Sequence, residues 1–343
     1  MLARAVQSAL NQTYPELRVD IYDNASGDET AEVAAALVAA DSRVHYHRRE
    51  ANLGLVENFA QAQAEVETEY FSFLADDDLL LPDFHARAVV ALDANPEAMF
   101  VASPVLFVDN RGRILSIEGA QWASAVHQPP AGMLELVRRG HFVWTGTMFR
   151  RAATVSAGTL DPRAGVCADL DFQLRIAGTH AFATLPDPGA IFSWHEASAT
   201  SLPRLAQFWP TWQVIAAGLE RERAIPESAR RQAARELSTR LPRKVFLAGM
   251  LASSQGRTSE AKQAAEVLAR ELGRPAQAAM IGLVEATCHR LPPLRGGLGK
   301  LGDWIRWRHR VSQEVQDEFD RKFRDLLALP AASPPTRRKD SAA

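Results

Sequence analysis

Residues 69–84, EYFSFLADDDLLLPDF, constrain the fold more than any other stretch of the chain. Tyr70, Phe71, Phe73 and Leu74 form a short aromatic and apolar run with the length and composition of a buried strand. Asp76, Asp77 and Asp78 follow at once, and Pro82 then suits the first residue of a helix. Three acids at the end of a strand stand at the carboxyl edge of a sheet, where open α/β folds bind their ligands. Like charges this close repel unless a cation shares the space. Their hard oxygens suit Mg²⁺ or Mn²⁺, shared with substrate phosphates. The plainer alternative is that the acids solvate the strand end and favour the following helix through its dipole.

The flanking chain sets this strand in a repeating pattern. Residues 2–11 carry a helical apolar stripe, and Leu17–Tyr22 alternates as a strand that ends in the turn-rich loop Asp23-Asn24-Ala25-Ser26-Gly27-Asp28. Residues 30–40 read as a helix, 44–47 as a strand, Asn52-Leu53-Gly54 as a turn and 55–66 as a helix. After the acids come a helix over 82–94 and a strand over 98–108. Strands alternating with helices of this length predict an α/β fold with a mostly parallel, Rossmann-like sheet flanked by helices. Asp23 and Asp76 then project from carboxyl ends of strands, so one cleft can gather both.

Whole-chain properties narrow the function. A 343-residue chain has room for about two domains. With 47% hydrophobic residues it buries a real core, and a net charge of −2 gives no electrostatic reason to expect nucleic acid as a partner. Cys167 and Cys288 lie far apart, without metal-ligand spacing or a disulfide framework, which predicts a reducing cytoplasm. No apolar run approaches the roughly 18 residues needed to cross a bilayer, and no signal-peptide pattern is present.

The runs AVQSALNQTYPELRVDIYDNASGDET, NLGLVENFAQAQAE and EYFSFLADDDLLLPDF, followed in order by TGTMFRR at 145–151 and CADLDFQLRIA at 167–177, resemble the family 2 glycosyltransferases and their GT-A fold. The resemblance covers about residues 1–200. It implies a domain at 1–204, a helical region at 205–329 and a disordered tail at 330–343. Family members open with a further apolar strand and a loop before the first helix, whereas Met1 here falls inside that helix. The expectation is therefore a chain that is poorly stable or inactive as written, improved by extension upstream.

The resemblance also implies roles. Asp23 meets the uracil or ribose of a nucleoside-diphosphate sugar, with Asn24 and Ser26 either helping or only shaping the turn. Asn52 and Gly54 lie near the nucleotide, although Gly54 also suits a purely conformational need for positive φ. Asn58 either lines the site or stands exposed on its helix. Asp78 is taken as the metal ligand, Asp76 as a ribose or metal contact, and Asp77 as the reserve for either role. Asp169 aligns with the general base that removes a proton from the acceptor hydroxyl in an inverting transfer, with Asp171 the competing candidate. Arg175 reaches the diphosphate or makes a structural ion pair. Trp144 and Gly146 line the acceptor side, where Trp144 either stacks on a sugar or packs in the core. His195 lies near the metal or the diphosphate, or is satisfied structure.

Beyond residue 204 the segments 205–223, 226–253, 258–272 and 275–290 are helically periodic, with no sustained repeat. Residues 298–311, LGKLGDWIRWRHRV, are basic and aromatic and suit either an anionic membrane surface or helix docking. The leading function is a metal-dependent, inverting glycosyltransferase acting on a glycan or lipid-linked acceptor in a bacterial cell-envelope pathway. The alternatives are a degenerate sugar- or partner-binding protein, which Ala75 and Ala168 in place of family acids favour, and a sugar nucleotidyltransferase, which leaves Asp169 idle.

Overall fold

The computed structural model describes residues 1–195, 205–291 and 311–328; residues 298–310, the tail at 330–343 and Glu196 lie outside them. The first half alternates as the pattern predicts. Helix α1 (Leu2–Leu10) buries Ala5, Val6, Ala9 and Leu10. It is followed by β1 (Val19–Asp23), α2 (Thr30–Ala40), β2 (Val44–Arg48), α3 (Leu55–Ala64) and β3 (Tyr70–Ser72).

Two local readings change. The stretch after the acids does not enter its helix directly: β4 (Leu79–Leu80) intervenes, and α4 (Phe84–Ala94) begins past Pro82. Leu79 and Leu80 are almost fully buried, so a two-residue ladder serves them better than a helix start. The apolar run 98–108 is two strands, β5 (Ala98–Ala102) and β6 (Val105–Asp109), which enter different sheets. They part at Ser103-Pro104, where proline has no N–H to donate to a ladder.

The chain continues through β7 (Ile114–Glu118), β8 (Ala125–His127), α5 (Ala131–Arg139), β9 (Thr147–Arg150), α6 (Arg151–Ala157), α7 (Ala168–Ala177), β10 (Ala181–Thr184) and β11 (Ala190–Trp194). Among the described residues three sheets result, ordered β1-β2, β3-β9-β5-β10-β8 and β4-β11-β6-β7. Only β1–β2, β5–β10 and β6–β11 pair in parallel; the other five ladders are antiparallel. The α/β class stands, but the pairing is mixed rather than mostly parallel. The reason is local: β9 inserts between β3 and β5 antiparallel to both, and β6 and β7 form an antiparallel ladder.

Helices cover the sheets. Phe84, Ala88 and Leu92 of α4 pack on Val101, Val105 and Met148. Elsewhere Phe71, Phe100, Phe149, Phe172 and Phe182 form one continuous apolar cluster with Trp212, Ile215 and Leu219 of α8 (Leu205–Arg221). The same cluster runs on through Leu237, Leu241 and Val245 of α9 (Glu227–Ser254) to Ala261 of α10 (Thr258–Glu266) and Ile281 of α11 (Pro275–Arg290). Each such side chain stabilises the packing by about 1.5–3 kcal/mol when fully buried. The last helix, α12 (Gln313–Ala328), sets Phe319 against Leu106, Ile114 and Ile191.

Candidate functional site

Strand ends deliver the acids. β3 leads into Asp76–Asp78, and β11 runs into His195 on the opposite side of the same loop. The three aspartates then separate in role. Asp78 is buried; it accepts a 2.6 Å hydrogen bond from the Thr145 hydroxyl and a 2.9 Å bond from the Ser193 amide. Burial, reinforced by the neighbouring Asp77 charge, pushes its carboxyl up to about 8 against those two bonds. It is therefore largely neutral near pH 7 and ties β11 and the Thr145 turn to the acidic loop. Each of its oxygens already accepts one hydrogen bond, so Asp78 braces the acidic loop at the position where the expectation sets a metal ligand.

Asp77 faces outward and pairs with His195, Nε2 to Oδ2 at 2.9 Å. Asp76 is exposed. Its carboxyl is raised by partial loss of hydration and by Asp77, and Asp28 from the β1 loop adds to the push. That repulsion reflects how near the β1 loop lies to the acidic loop.

The nucleotide-side candidates form one network. Asp23 is buried and accepts bonds from the Ser26 amide at 2.8 Å, the Tyr46 hydroxyl at 2.6 Å and Arg48 Nη1 at 2.8 Å. Burial alone would raise its carboxyl; these donors and the Arg48 charge overcome that and hold it below the usual range. Arg48 also donates to the Ser26 carbonyl at 2.8 Å, so Ser26 shapes the loop. Asn24 donates to Asn52 at 3.1 Å and accepts from the Leu53 amide at 2.8 Å, stitching the two expected nucleotide loops together. Gly54, at φ +86°, supplies a turn that other residues adopt with strain, and its amide donates to Asn52 at 2.9 Å. Asn58 bonds the Tyr22 carbonyl at 3.0 Å and accepts from Arg49 at 3.2 Å, so it braces β1.

On the acceptor side, Asp169 opens α7. His141 Nε2 lies 3.1 Å from its Oδ2, and the Leu170 amide donates to its Oδ1 at 2.7 Å. Each carboxylate oxygen has two lone pairs, and the side chain is 17% exposed, which leaves acceptor capacity open to solvent. Asp171, the competing base, is buried against Arg175 at 2.8 Å, and burial pushes its carboxyl up against the pull of that guanidinium. Arg175 also donates to the Ala157 carbonyl and, at 2.9 Å, to that of Thr159. Both residues hold the α6–α7 corner together, which is the structural ion pair the sequence also allowed.

Trp144 packs on Phe59 and Phe73, with ring centroids 4.5 and 5.5 Å apart. Gly146 is a close-packing position: a Cβ there would stand 2.4 Å from Val105 Cγ2 and 3.1 Å from the Ser103 carbonyl. Between them the segment His141–Thr145 does what no single motif announces. His141 touches Asp169, the Phe142 amide donates to Gln173 Oε1 at 3.0 Å while its carbonyl accepts from Gln173 Nε2 at 2.7 Å, and Thr145 grips Asp78. Four residue steps span at most about 14 Å of backbone, so one short segment links Asp169 to the acidic loop.

Several functional residues escaped the sequence reading. Tyr46 and Arg48 share a strand face with spacing two, and their register opposite Ile21 and Asp23 explains their role, but register is invisible without the partner strand. His141 follows the positive-φ Gly140 that ends α5, and nothing local marks it.

Among the described residues no three His, Cys, Asp or Glu side chains form a ready-made metal cage. Asp77 and His195 set a carboxylate oxygen and an imidazole nitrogen side by side, joined by a 2.9 Å hydrogen bond, and both are atom types that bind divalent cations.

Comparison with known proteins agrees with this architecture. The model of glycosyl transferase family 2 matches residues 1–155. Residues 1–349 of S. aureus TarS with UDP-GlcNAc superpose with a TM-score of 0.59 at 14% identity, covering 84% of this chain and 88% of that one. The UDP complex gives 0.56 at 14% identity, covering 84% and 87%. Longer TarS gives 0.53 at 13%, and the match covers 50% of its length. At such identities the likeness is one of fold, that of the GT-A glycosyltransferases.

Proposed function

Since residues 1–155 carry a glycosyl transferase family 2 domain, we propose that the chain moves a sugar, with inversion, from a nucleoside-diphosphate sugar to a hydroxyl of a glycan or lipid-linked acceptor. The single observation that supports this reading is the His141–Thr145 segment, which bonds Asp169 at one end and Asp78 of the acidic loop at the other.

Asp169 takes the proton from the acceptor hydroxyl as that oxygen attacks the anomeric carbon opposite the leaving group. Its Oδ2 is oriented by His141 and its Oδ1 by the Leu170 amide, so the carboxylate is held ready. The loops of β1 and Asn52–Gly54 receive the nucleotide, with Asp76 at their edge. Asp77 and His195 would hold Mg²⁺ or Mn²⁺, which when bound neutralises charge on the departing diphosphate. Asp78 keeps this arrangement rigid rather than coordinating. The transition state carries oxocarbenium-like character, as in glycoside hydrolysis.

A cytoplasmic setting in a bacterial envelope pathway suits this chemistry. Cys167 and Cys288 are free and buried, and no helix among the described residues is long and apolar enough to cross a membrane. Peripheral membrane contact through 298–311 remains part of this proposal.

The test is a panel of nucleotide sugars, including UDP-GlcNAc and GDP-mannose, screened with Mn²⁺ by thermal shift and by release of nucleoside diphosphate. A donor that stabilises the protein only with metal, with Asp169→Asn abolishing release while preserving binding, supports the reading. Pyrophosphate release from a nucleoside triphosphate and a sugar phosphate would establish a nucleotidyltransferase instead. Sugar binding without any turnover would leave a binding module.

A further inference from the structure

Asp23 and Arg48 are the last residues of the parallel strands β1 and β2, and they stand opposite each other in register. Ligands of open α/β sheets bind beyond such strand ends. From Asp23 the chain enters the loop 24–28, and from Arg48 it runs on into the turn 52–54. Arg48 therefore stands between the two loops that the Asn24–Asn52 bond joins.

The acceptors nearest to Arg48 are taken up internally. The Asp23 side chain is 0% exposed, with the Ser26 amide on Oδ1 and the Tyr46 hydroxyl and Arg48 Nη1 on Oδ2. Asn24 Oδ1 accepts from the Leu53 amide, and Asn52 Oδ1 accepts from Asn24 Nδ2 and the Gly54 amide. Donor capacity is what remains. The Arg48 side chain is 43% exposed, and its bonds are those of Nη1 to Asp23 and Nη2 to the Ser26 carbonyl, each at 2.8 Å, with a longer 3.5 Å contact to the Tyr46 hydroxyl. A guanidinium carries five N–H groups in a rigid fork, so these partners hold its plane and leave donors for a ligand.

We propose that Arg48 is a specificity-determining residue that reads the base of the donor nucleotide and selects guanine. Guanine presents the acceptors O6 and N7 side by side, the commonest bidentate match for an arginine. Adenine sets an amino donor beside its N7, which a row of N–H groups repels. Uracil carries an N3–H between its two carbonyls, and the closed Asp23 carboxylate offers that N–H no acceptor. Asp23 acts through Arg48, as the anion that fixes the fork, instead of meeting the uracil or ribose itself. This inference rests on the reading of the loop 24–28 and the turn 52–54 as the nucleotide site.

Calorimetry on the full-length chain with Mn²⁺ compares GDP, UDP, ADP and 7-deaza-GDP, which lacks the N7 acceptor. The wild type should bind GDP at least about tenfold more tightly than the other three, the gain of one bidentate contact. Arg48→Lys keeps a cation against Asp23 but loses the fork; it should weaken GDP binding about tenfold and leave UDP binding unchanged. Asp23→Asn combined with Arg48→Met removes both charges together and should bind all four ligands alike. If the wild type binds UDP or 7-deaza-GDP as tightly as GDP, the selection of guanine is overturned. A GDP preference that survives in Arg48→Lys or in the double variant overturns the role of Arg48. Binding of none of the four would remove the nucleotide-sugar reading itself, and this inference with it.

Discussion

Thr145 donates its hydroxyl to Asp78 across 2.6 Å, and through this bond the acceptor-side segment holds the acidic loop. Thr145→Val would leave a buried carboxyl oxygen unpaired, at a cost of about 1–3 kcal/mol. Urea denaturation should show a lower midpoint with an unchanged slope. Asp78→Asn preserves the neutral state and the shape, so its midpoint should fall less than that of Asp78→Ala.

Asp77 and His195 should behave as the metal-linked pair. Asp77→Asn or His195→Ala should weaken Mn²⁺-dependent donor binding at least about tenfold, the loss of one charge-assisted contact of roughly 1.4 kcal/mol. Calorimetry with and without Mn²⁺ checks this; a loss confined to Asp78→Asn would return the ligand role to Asp78.

Arg175 is tied to Asp171 and to two backbone carbonyls. Arg175→Gln strands a buried carboxylate, and breaking such a pair costs about 3–5 kcal/mol. Melting temperature should drop sharply, while donor affinity measured below the transition stays the same. A reversed pattern, with stability kept and affinity lost, would place Arg175 at the diphosphate.

Gly146→Ala puts a methyl group into space held by Val105 and the Ser103 carbonyl. Overpacking of this kind costs about 1–3 kcal/mol. Thermal melting reads the loss directly, and Val105→Ala should relieve part of it, since the crowded Val105 atom belongs to a side chain.

His85 reports on acid stability. Its imidazole sits 3.0 Å from the Ser72 hydroxyl, and burial pulls it down to about 4 from 6.5. The unfolded chain takes up that proton near pH 6.5 and the folded chain only near 4. Stability from this group is therefore complete above 6.5 and is lost as pH falls from 6.5 towards 4. The difference in unfolding free energy between the wild type and His85→Gln should narrow over that window; a constant difference would refute it.

Much of the fold could be read before any coordinates. Helical periodicity places α2 at Thr30–Ala40, and four of the five α-helices described beyond residue 204 begin within a residue of their expected starts, α12 being the exception. What periodicity misses is pairing. The run 98–108 is continuously apolar, and only the consequence of Pro104 for a ladder separates β5 from β6. In the site, motif spacing located Asp169 and the three acids, but not which acid turns inward. That depends on the Ser193 amide and Thr145, more than 60 residues away in sequence. A side chain such as His141 gains its meaning from neighbours that no local pattern names.

Trp212, Ile215 and Leu219 complete the apolar cluster that begins at Phe71. The helices after residue 204 are consequently no interchangeable cassette. Exchanging them would require recutting the wall formed by Cys167, Ala168 and Phe172, so any change in that helical half registers in the thermal endurance of the sheet it covers.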